Sequence, residues 1–262
     1  MGRRPLGQHF LIRRSVVNRI LGALELSSDS EVLEIGPGKG ALTGPLSHQV
    51  GHLLLVEKDP ELAEEVREHL SGAPTVEVLT EDFLNLPWAE ITDRLGDSFR
   101  VVSNLPYQAA TAIMQKLLSH LAGGTIMVLM FQKEVADRLV AKPHSKAFGS
   151  LTVVTQILSE VKPLLNVPPQ AFRPPPQVDS TVLKFRVRRE PLLDREQLPG
   201  LERLLQAGFS HRRKMLRQNL RTAFGGAAAS EVEARLQSVG ASPQARAEEL
   251  SVEQWIDLYK EK

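Results

Sequence analysis

From Glu31 to Val140 the chain alternates five times between apolar runs of strand length and segments whose apolar residues recur at helical spacing. The runs Glu31–Ile35, His52–Val56, Thr75–Thr80, the one starting at Val101, and Thr125–Phe131 are rich in Val, Leu and Ile, as in strands buried on both faces. Strands separated by helices in this way build a mostly parallel, doubly wound sheet. Val161–Val167 and Thr181–Val187 bring the expected sheet to seven strands, and the expected fold class is α/β and Rossmann-like. Leu151, Val154, Ile157 and Leu158 suggest one further helix before the last two strands.

After Arg189 only helical spacing remains. Leu201, Leu204, Leu205 and Phe209 mark one helix, Ser230–Val239 another closed by Gly240, and Ser251 with Gln254 forms a capping box for the last. The expected organisation is therefore a sheet domain over 1–189 and a small all-α domain over 190–262. Within the second, directly after Phe209, Ser210-His211-Arg212-Arg213-Lys214-Met215-Leu216-Arg217 reads as the start of a helix with a dense cationic face. Lys and Arg number 32 against 31 Asp and Glu, so a basic surface on this chain has to be local, and Arg212, Arg213, Lys214 and Arg217 are the candidate contacts to nucleic acid. A solvated helix face is the plainer reading of the same residues.

The absence of cysteine excludes disulfides, thiolate-bound metals and cysteine nucleophiles, and no metal site is expected. The longest apolar run, Thr125–Phe131, is too short to span a bilayer, and the sequence reads as a soluble, cytoplasmic protein.

Two loops at strand ends point to a nucleotide-like cofactor. The first strand runs into Gly36-Pro37-Gly38-Lys39-Gly40, where Gly36 and Gly38 allow the backbone to turn tightly and approach a ligand. The second strand ends in Glu57, about 20 residues on, where a carboxylate can accept both ribose hydroxyls. Asp82 follows the third strand at the same end of the sheet and reads as an adenine contact. An NAD-dependent dehydrogenase fits these features too, although Pro37 removes a backbone donor that a pyrophosphate would use.

The fourth strand ends in Asn104-Leu105-Pro106-Tyr107. Pro106 cannot join a sheet ladder, so the chain leaves the sheet here and the Leu105 carbonyl is left beside the Asn104 side chain. Two acceptors and the flat ring of Tyr107 suit an amino group on a nucleobase, whereas an ordinary polar turn is the bland alternative. Between the last two strands lies Pro168 to Ser180, stiff enough in proline to hold Phe172 over a site.

Taken in order, Gly7-Gln8-His9-Phe10-Leu11, Glu34-Ile35-Gly36-Pro37-Gly38, Val56-Glu57, Asp82, Asn104-Leu105-Pro106-Tyr107, Phe131-Gln132-Lys133-Glu134-Val135-Ala136, Phe172-Arg173-Pro174-Pro175-Pro176-Gln177-Val178-Asp179-Ser180 and Arg212-Arg213-Lys214 resemble the ribosomal RNA adenine dimethyltransferases over essentially the full length, most closely the bacterial small-subunit (16S) branch. The resemblance implies a class I methyltransferase sheet and transfer of two methyl groups from S-adenosyl-methionine to each of two adjacent adenosines. These would lie in the 3'-terminal hairpin loop of small-subunit ribosomal RNA, modified during subunit biogenesis; separately, the protein is expected to be a monomer. The resemblance implies that His9, Leu11, Gly36, Glu57, Asp82 and Asn104 line the cofactor site. Asn104, Leu105 and Tyr107 would face the target base, with Phe172 stacked on its other side. Gln108 stands where the family usually has Asn, and Phe148 where it commonly has Tyr. A non-catalytic assembly factor on the same fold and a resistance-type enzyme acting on large-subunit RNA are the remaining rivals.

Overall fold

The computed structural model describes residues 8–70, 72–73 and 75–261, so Gly7 and the basic residues before it lie outside the described residues. Nine strands are present among them: β1 Phe10–Leu11, β2 Glu31–Ile35, β3 His52–Glu57, β4 Val76–Thr80, β5 Arg100–Asn104, β6 Ile126–Gln132, β7 Ser159–Val167, β8 Phe172–Arg173 and β9 Ser180–Val187. Seven form one sheet in the order β4-β3-β2-β5-β6-β9-β7, and β1 pairs with β8 in a two-stranded ribbon. The pairs among β2 to β6 are parallel and β9 runs antiparallel to β6, which is the mostly parallel α/β sheet expected from the sequence.

The apolar runs explain the sheet's centre. Leu53, Leu54 and Leu55 are all inaccessible to solvent, so successive side chains of β3 are covered on both faces of the pleat. Helix Arg14–Ala23 lays Val16, Val17, Ile20 and Leu21 into the same core. A helix at Trp88–Leu95, which the strand–helix pattern does not announce, occupies the crossover from β4 to β5 and buries Ile91 and Leu95. Strand order reverses between β2 and β5: the chain continues outward through β3 and β4 on one side and through β6 on the other. Ligands of doubly wound sheets bind outside the carboxyl ends of the strands at such a switch point.

The described chain divides into two compact units, one comprising Met1–Ala136 with Val161–Arg189, the other Asp137–Glu160 with Glu190–Lys262. This differs from a single boundary after Arg189, because residues 137–160 belong with the helices of the second unit. The reason is apolar surface: helix Ser150–Leu158 buries Val153, Val154, Ile157 and Leu158 and packs on helices Leu198–Gly208 and Val252–Lys260. At the centre of that unit Trp255 stacks on Phe209 at 5.4 Å, and Phe148 packs against Phe209 at 6.4 Å. A Cβ on Gly208 would overlap the Trp255 ring, so only glycine fits that helix turn. Phe148 is fully buried, and the absence of a hydroxyl there removes a polar group that the core would have to satisfy. The Ser251 capping box forms as expected, with Gln254 N donating to Ser251 Oγ at 3.2 Å and Ser251 N to Gln254 Oε1 at 2.9 Å.

Three of the four cationic candidates, Arg212, Arg213 and Lys214, are not on a helix; only Arg217 is. Residues 210–215 form a turn, and the helix that follows is only Leu216–Leu220. Asn219 holds the turn by donating to the carbonyls of Gly208 at 2.7 Å and His211 at 3.2 Å, while Met215 is extended and stops a helix from running through. No helix among the described residues is long and apolar enough to cross a membrane.

Candidate active site

One cavity of about 900 Å³ opens at the carboxyl ends of β2 to β5. Its wall includes His9, Leu11, Gly36, Gly38, Glu57, Asp82, Asn104, Leu105 and Tyr107, so the sequence-predicted residues of these loops converge on one space.

The glycine loop gets its shape from backbone conformation. Gly36 and Gly38 have φ of +64° and +56°, which side chains other than glycine rarely adopt. Gly38 is restricted a second time, because an added Cβ would stand 3.1 Å from the Phe10 ring. Its N–H donates to Glu57 Oε2 at 3.1 Å, and Asp59 N donates to Glu57 Oε1 at 3.0 Å. Glu57 is thus a buried carboxylate with each oxygen anchored once and lone pairs remaining on the cavity side. Asp82 accepts from Leu84 N at 3.0 Å and pairs with Lys58 Nζ at 2.7 Å, and these contacts, Lys58 foremost, hold its pKa below the usual carboxylate range.

Ser103 ties the two sides of the switch point together by donating to the Ile35 carbonyl at 2.5 Å. Next to it, Asn104 Nδ2 donates to the His9 carbonyl at 3.1 Å. With the amide's NH2 end engaged there, its oxygen is the end left to accept. The last register pair of β5 is Asn104 with Met130, so the Leu105 carbonyl lies beyond the ladder, as the proline predicts. Tyr107 is half-buried, its hydroxyl 2.7 Å from Ser180 Oγ, and burial raises its pKa although the Ser180 contact opposes the shift. The His9 ring stands 5.8 Å from the Tyr107 ring, and His9 Nδ1 donates to the Pro174 carbonyl at 2.8 Å. The segment from His9 to Ile12 therefore straps the glycine loop, the Asn104 turn and the proline loop together. Ile12 N adds a bond to the Ala171 carbonyl at 2.8 Å.

Phe172 is placed differently from its expectation. It is 3% exposed, pairs with Leu11 across the β1–β8 ribbon, and belongs to the core with Val167, Ala171 and Val182. A stacking platform must present a face to the ligand, and this ring is consumed by packing. From the same loop, Pro176, Gln177 and Val178 reach the cavity instead, with Val178 45% exposed.

Sequence reasoning also passes over Glu34. It is 1% exposed, lines the cavity, and its Oε2 has no hydrogen-bond partner. Burial pushes its pKa up to about 8; the nearby Thr43 hydroxyl works against that shift and the Glu57 charge adds to it. The legible signal was an acid inside an otherwise apolar strand. Among the described residues no group of three or more His, Cys, Asp or Glu is placed to hold a metal ion.

The four cationic candidates of the second unit divide into two pairs. Arg212 donates to the carbonyls of Lys146 at 2.6 Å and Phe148 at 2.9 Å, and Arg217 is paired with Glu233. Arg213 and Lys214 are exposed on the turn.

A switch-point cavity with a glycine loop on one side and an amide–carbonyl–aromatic turn on the other defines a Rossmann-like α/β enzyme of the methyltransferase kind. The family model described as ribosomal RNA adenine dimethylase matches residues 1–262. The chain is 40% identical over 265 residues to the ribosomal RNA small subunit methyltransferase A of Synechococcus elongatus, covering 98% of this chain and 93% of that protein. The protein of the same name from Cronobacter sakazakii is 36% identical over 258 residues, with 98% and 92% covered. Among solved structures, the 23S rRNA methyltransferase ErmE aligns with a TM-score of 0.73 at 31% identity over 96% of this chain and 98% of that one. A dimethyladenosine transferase from Plasmodium falciparum aligns with a TM-score of 0.79 at 24% identity over 95% and 96%, a likeness of fold. The chain belongs to the ribosomal RNA adenine dimethylase family.

Proposed function

We propose that this protein transfers two methyl groups from S-adenosyl-methionine to the exocyclic amine of each of two adjacent adenosines in the 3'-terminal hairpin loop of small-subunit ribosomal RNA. The observation that carries the reading is the Asn104 amide, turned by its bond to the His9 carbonyl so that its oxygen and the Leu105 carbonyl offer two acceptors at one cavity. Supporting the choice of subunit, identity reaches 40% with a small-subunit relative against 31% with the large-subunit enzyme ErmE.

The residues fit the cofactor. Glu57 keeps lone pairs for the ribose hydroxyls, Asp82 is an ionised acceptor for the adenine amine, and the left-handed Gly36 and Gly38 bring backbone close to the ligand. His9 and Leu11 close the same space from the strap. When bound, S-adenosyl-methionine supplies a methyl group carried on a positively charged sulfur.

The target amine is a poor nucleophile because its lone pair is delocalised into the ring. Donating its N–H groups to Asn104 Oδ1 and the Leu105 carbonyl draws the nitrogen toward a tetrahedral, more nucleophilic state. With the methyl group supplied by bound S-adenosyl-methionine, that lone pair would form the new N–C bond and the surplus proton would pass to water. Neither acceptor is a base, so the protein acts mainly by positioning. Tyr107, fixed through Ser180, offers the flat wall for a base that has left its stack, which RNA loops permit at least cost. Of the four cationic candidates, Arg213 and Lys214 are exposed and offered to phosphate, whereas Arg212 and Arg217 are engaged within the protein. We place the enzyme in the cytoplasm, acting as a monomer during small-subunit biogenesis.

The test is a choice of acceptor. Labelled methyl groups offered with equal amounts of unmodified small and large ribosomal subunits should enter small-subunit RNA alone, and label in large-subunit RNA would overturn the assignment.

A further inference from the structure

Lys116 lies on helix Ala110–His120, the helix that leaves the Asn104–Tyr107 turn. Its ammonium reaches the loop after Asp82 and donates to three carbonyls there, Leu86 at 2.6 Å, Phe83 at 2.8 Å and Leu84 at 3.1 Å. It also stands 5.1 Å from the centre of the Phe83 ring. An ammonium has three N–H donors, and all three are engaged by one loop. Burial lowers the pKa of this lysine and the Asp82 charge opposes the shift, as for a cation withdrawn from water.

The peptide between Phe83 and Leu84 gives this arrangement its consequence. A trans peptide is planar and its C=O and N–H point opposite ways. In this one the Phe83 carbonyl is held by Lys116 at 2.8 Å, and the Leu84 N–H donates to Asp82 Oδ1 at 3.0 Å. Fixing one end of the plane aims the other. Lys58, the other partner of Asp82, has a side chain 75% exposed, and such a surface pair fixes little.

We infer that Lys116 is the positioning residue of the adenine subsite: by pinning the Phe83–Leu84 peptide it orients the Asp82 carboxylate and so sets the selectivity for a 6-aminopurine on the cofactor. This rests on the reading of Asp82 as the adenine contact, and it assigns to a residue on the helix beyond the catalytic turn a role in cofactor selection.

The experiment compares binding of S-adenosyl-homocysteine with that of its inosyl counterpart, whose purine carries an oxo group in place of the amine. The wild-type protein should prefer the adenosyl form by on the order of tenfold. Lys116→Met should bring the ratio close to one, while a merely structural lesion would weaken both ligands alike and leave the ratio intact. Lys116→Gln, which keeps an amide donor for one carbonyl, should lose part of the preference and serves if the Met variant does not fold. A wild-type preference kept in full by the folded variant overturns the role of Lys116 alone. Equal binding of the two ligands by the wild type overturns the Asp82 reading, and the role of Lys116 with it.

Discussion

Asn104 Nδ2 donates to the His9 carbonyl at 3.1 Å, a bond between residues far apart in sequence that determines which end of the Asn104 amide is left to accept from a ligand. The strap that supplies His9 thereby acts on the acceptor pair without reacting. Asn104→Ala should lower methyl transfer on the order of a hundredfold, the scale on which one preorganised polar partner of a reacting group acts. Thermal unfolding should be little changed, since the residue lies at the end of its strand. Turnover within a few-fold of wild type would remove Asn104 from the chemistry.

Phe172 yields a different expectation once its burial is known. With the ring in the core beside Val167 and Ala171, Phe172→Ala should destabilise the fold by about 3–5 kcal/mol, seen as an earlier denaturant midpoint. A variant of undiminished stability that transfers methyl groups about tenfold more slowly would restore the stacking role.

Glu34 makes stability depend on pH. Burial pushes its pKa up to about 8 in the folded protein, whereas the unfolded chain ionises it in the usual carboxylate range. Its contribution is fully present below that range and is lost as pH rises through about 8. Glu34→Gln is neutral throughout and should flatten this loss. Denaturant titrations at about pH 5 and about pH 8.5 should show the variant gaining on wild type at the higher pH. A gap that stays constant between the two would mean that Glu34 is ionised in the fold.

The turn at 210–215 separates two kinds of arginine. Replacing Arg213 and Lys214 by Ala should weaken binding to the small subunit and reduce the log–log salt slope by about 0.7 to 0.9 per lost phosphate contact. Cofactor affinity should not move. Arg212→Ala should instead lower stability, because its guanidinium holds the Lys146 and Phe148 carbonyls. Unchanged affinity and slope in the double variant would reduce the pair to a solvated turn.

The sheet was legible because β2 to β6 are short continuous apolar runs, and local pattern determines such strands. The glycine loop, Glu57 and the Asn104 turn were legible because each stands at a strand end, where fold and chemistry meet. What escaped depends on partners distant in the chain. Phe172 looks like a presented aromatic until its pairing with Leu11 turns it inward. The 210–215 segment has helical composition, yet Asn219 and the extended Met215 make it a turn. Residues 137–160 join the second unit through the buried face of Ser150–Leu158, which no single-segment pattern reveals.

The central claim concerns which atom is methylated and how often, and nucleoside analysis of the product measures both. Small-subunit RNA incubated with the protein and S-adenosyl-methionine, then digested and resolved by mass, should contain adenosine carrying two methyl groups on its exocyclic nitrogen, at two adjacent positions, and Asn104→Ala should leave those positions bare. Methyl groups found on a ring nitrogen or a ribose oxygen, or no new nucleoside at all, would contradict a site built around two acceptors for an amine.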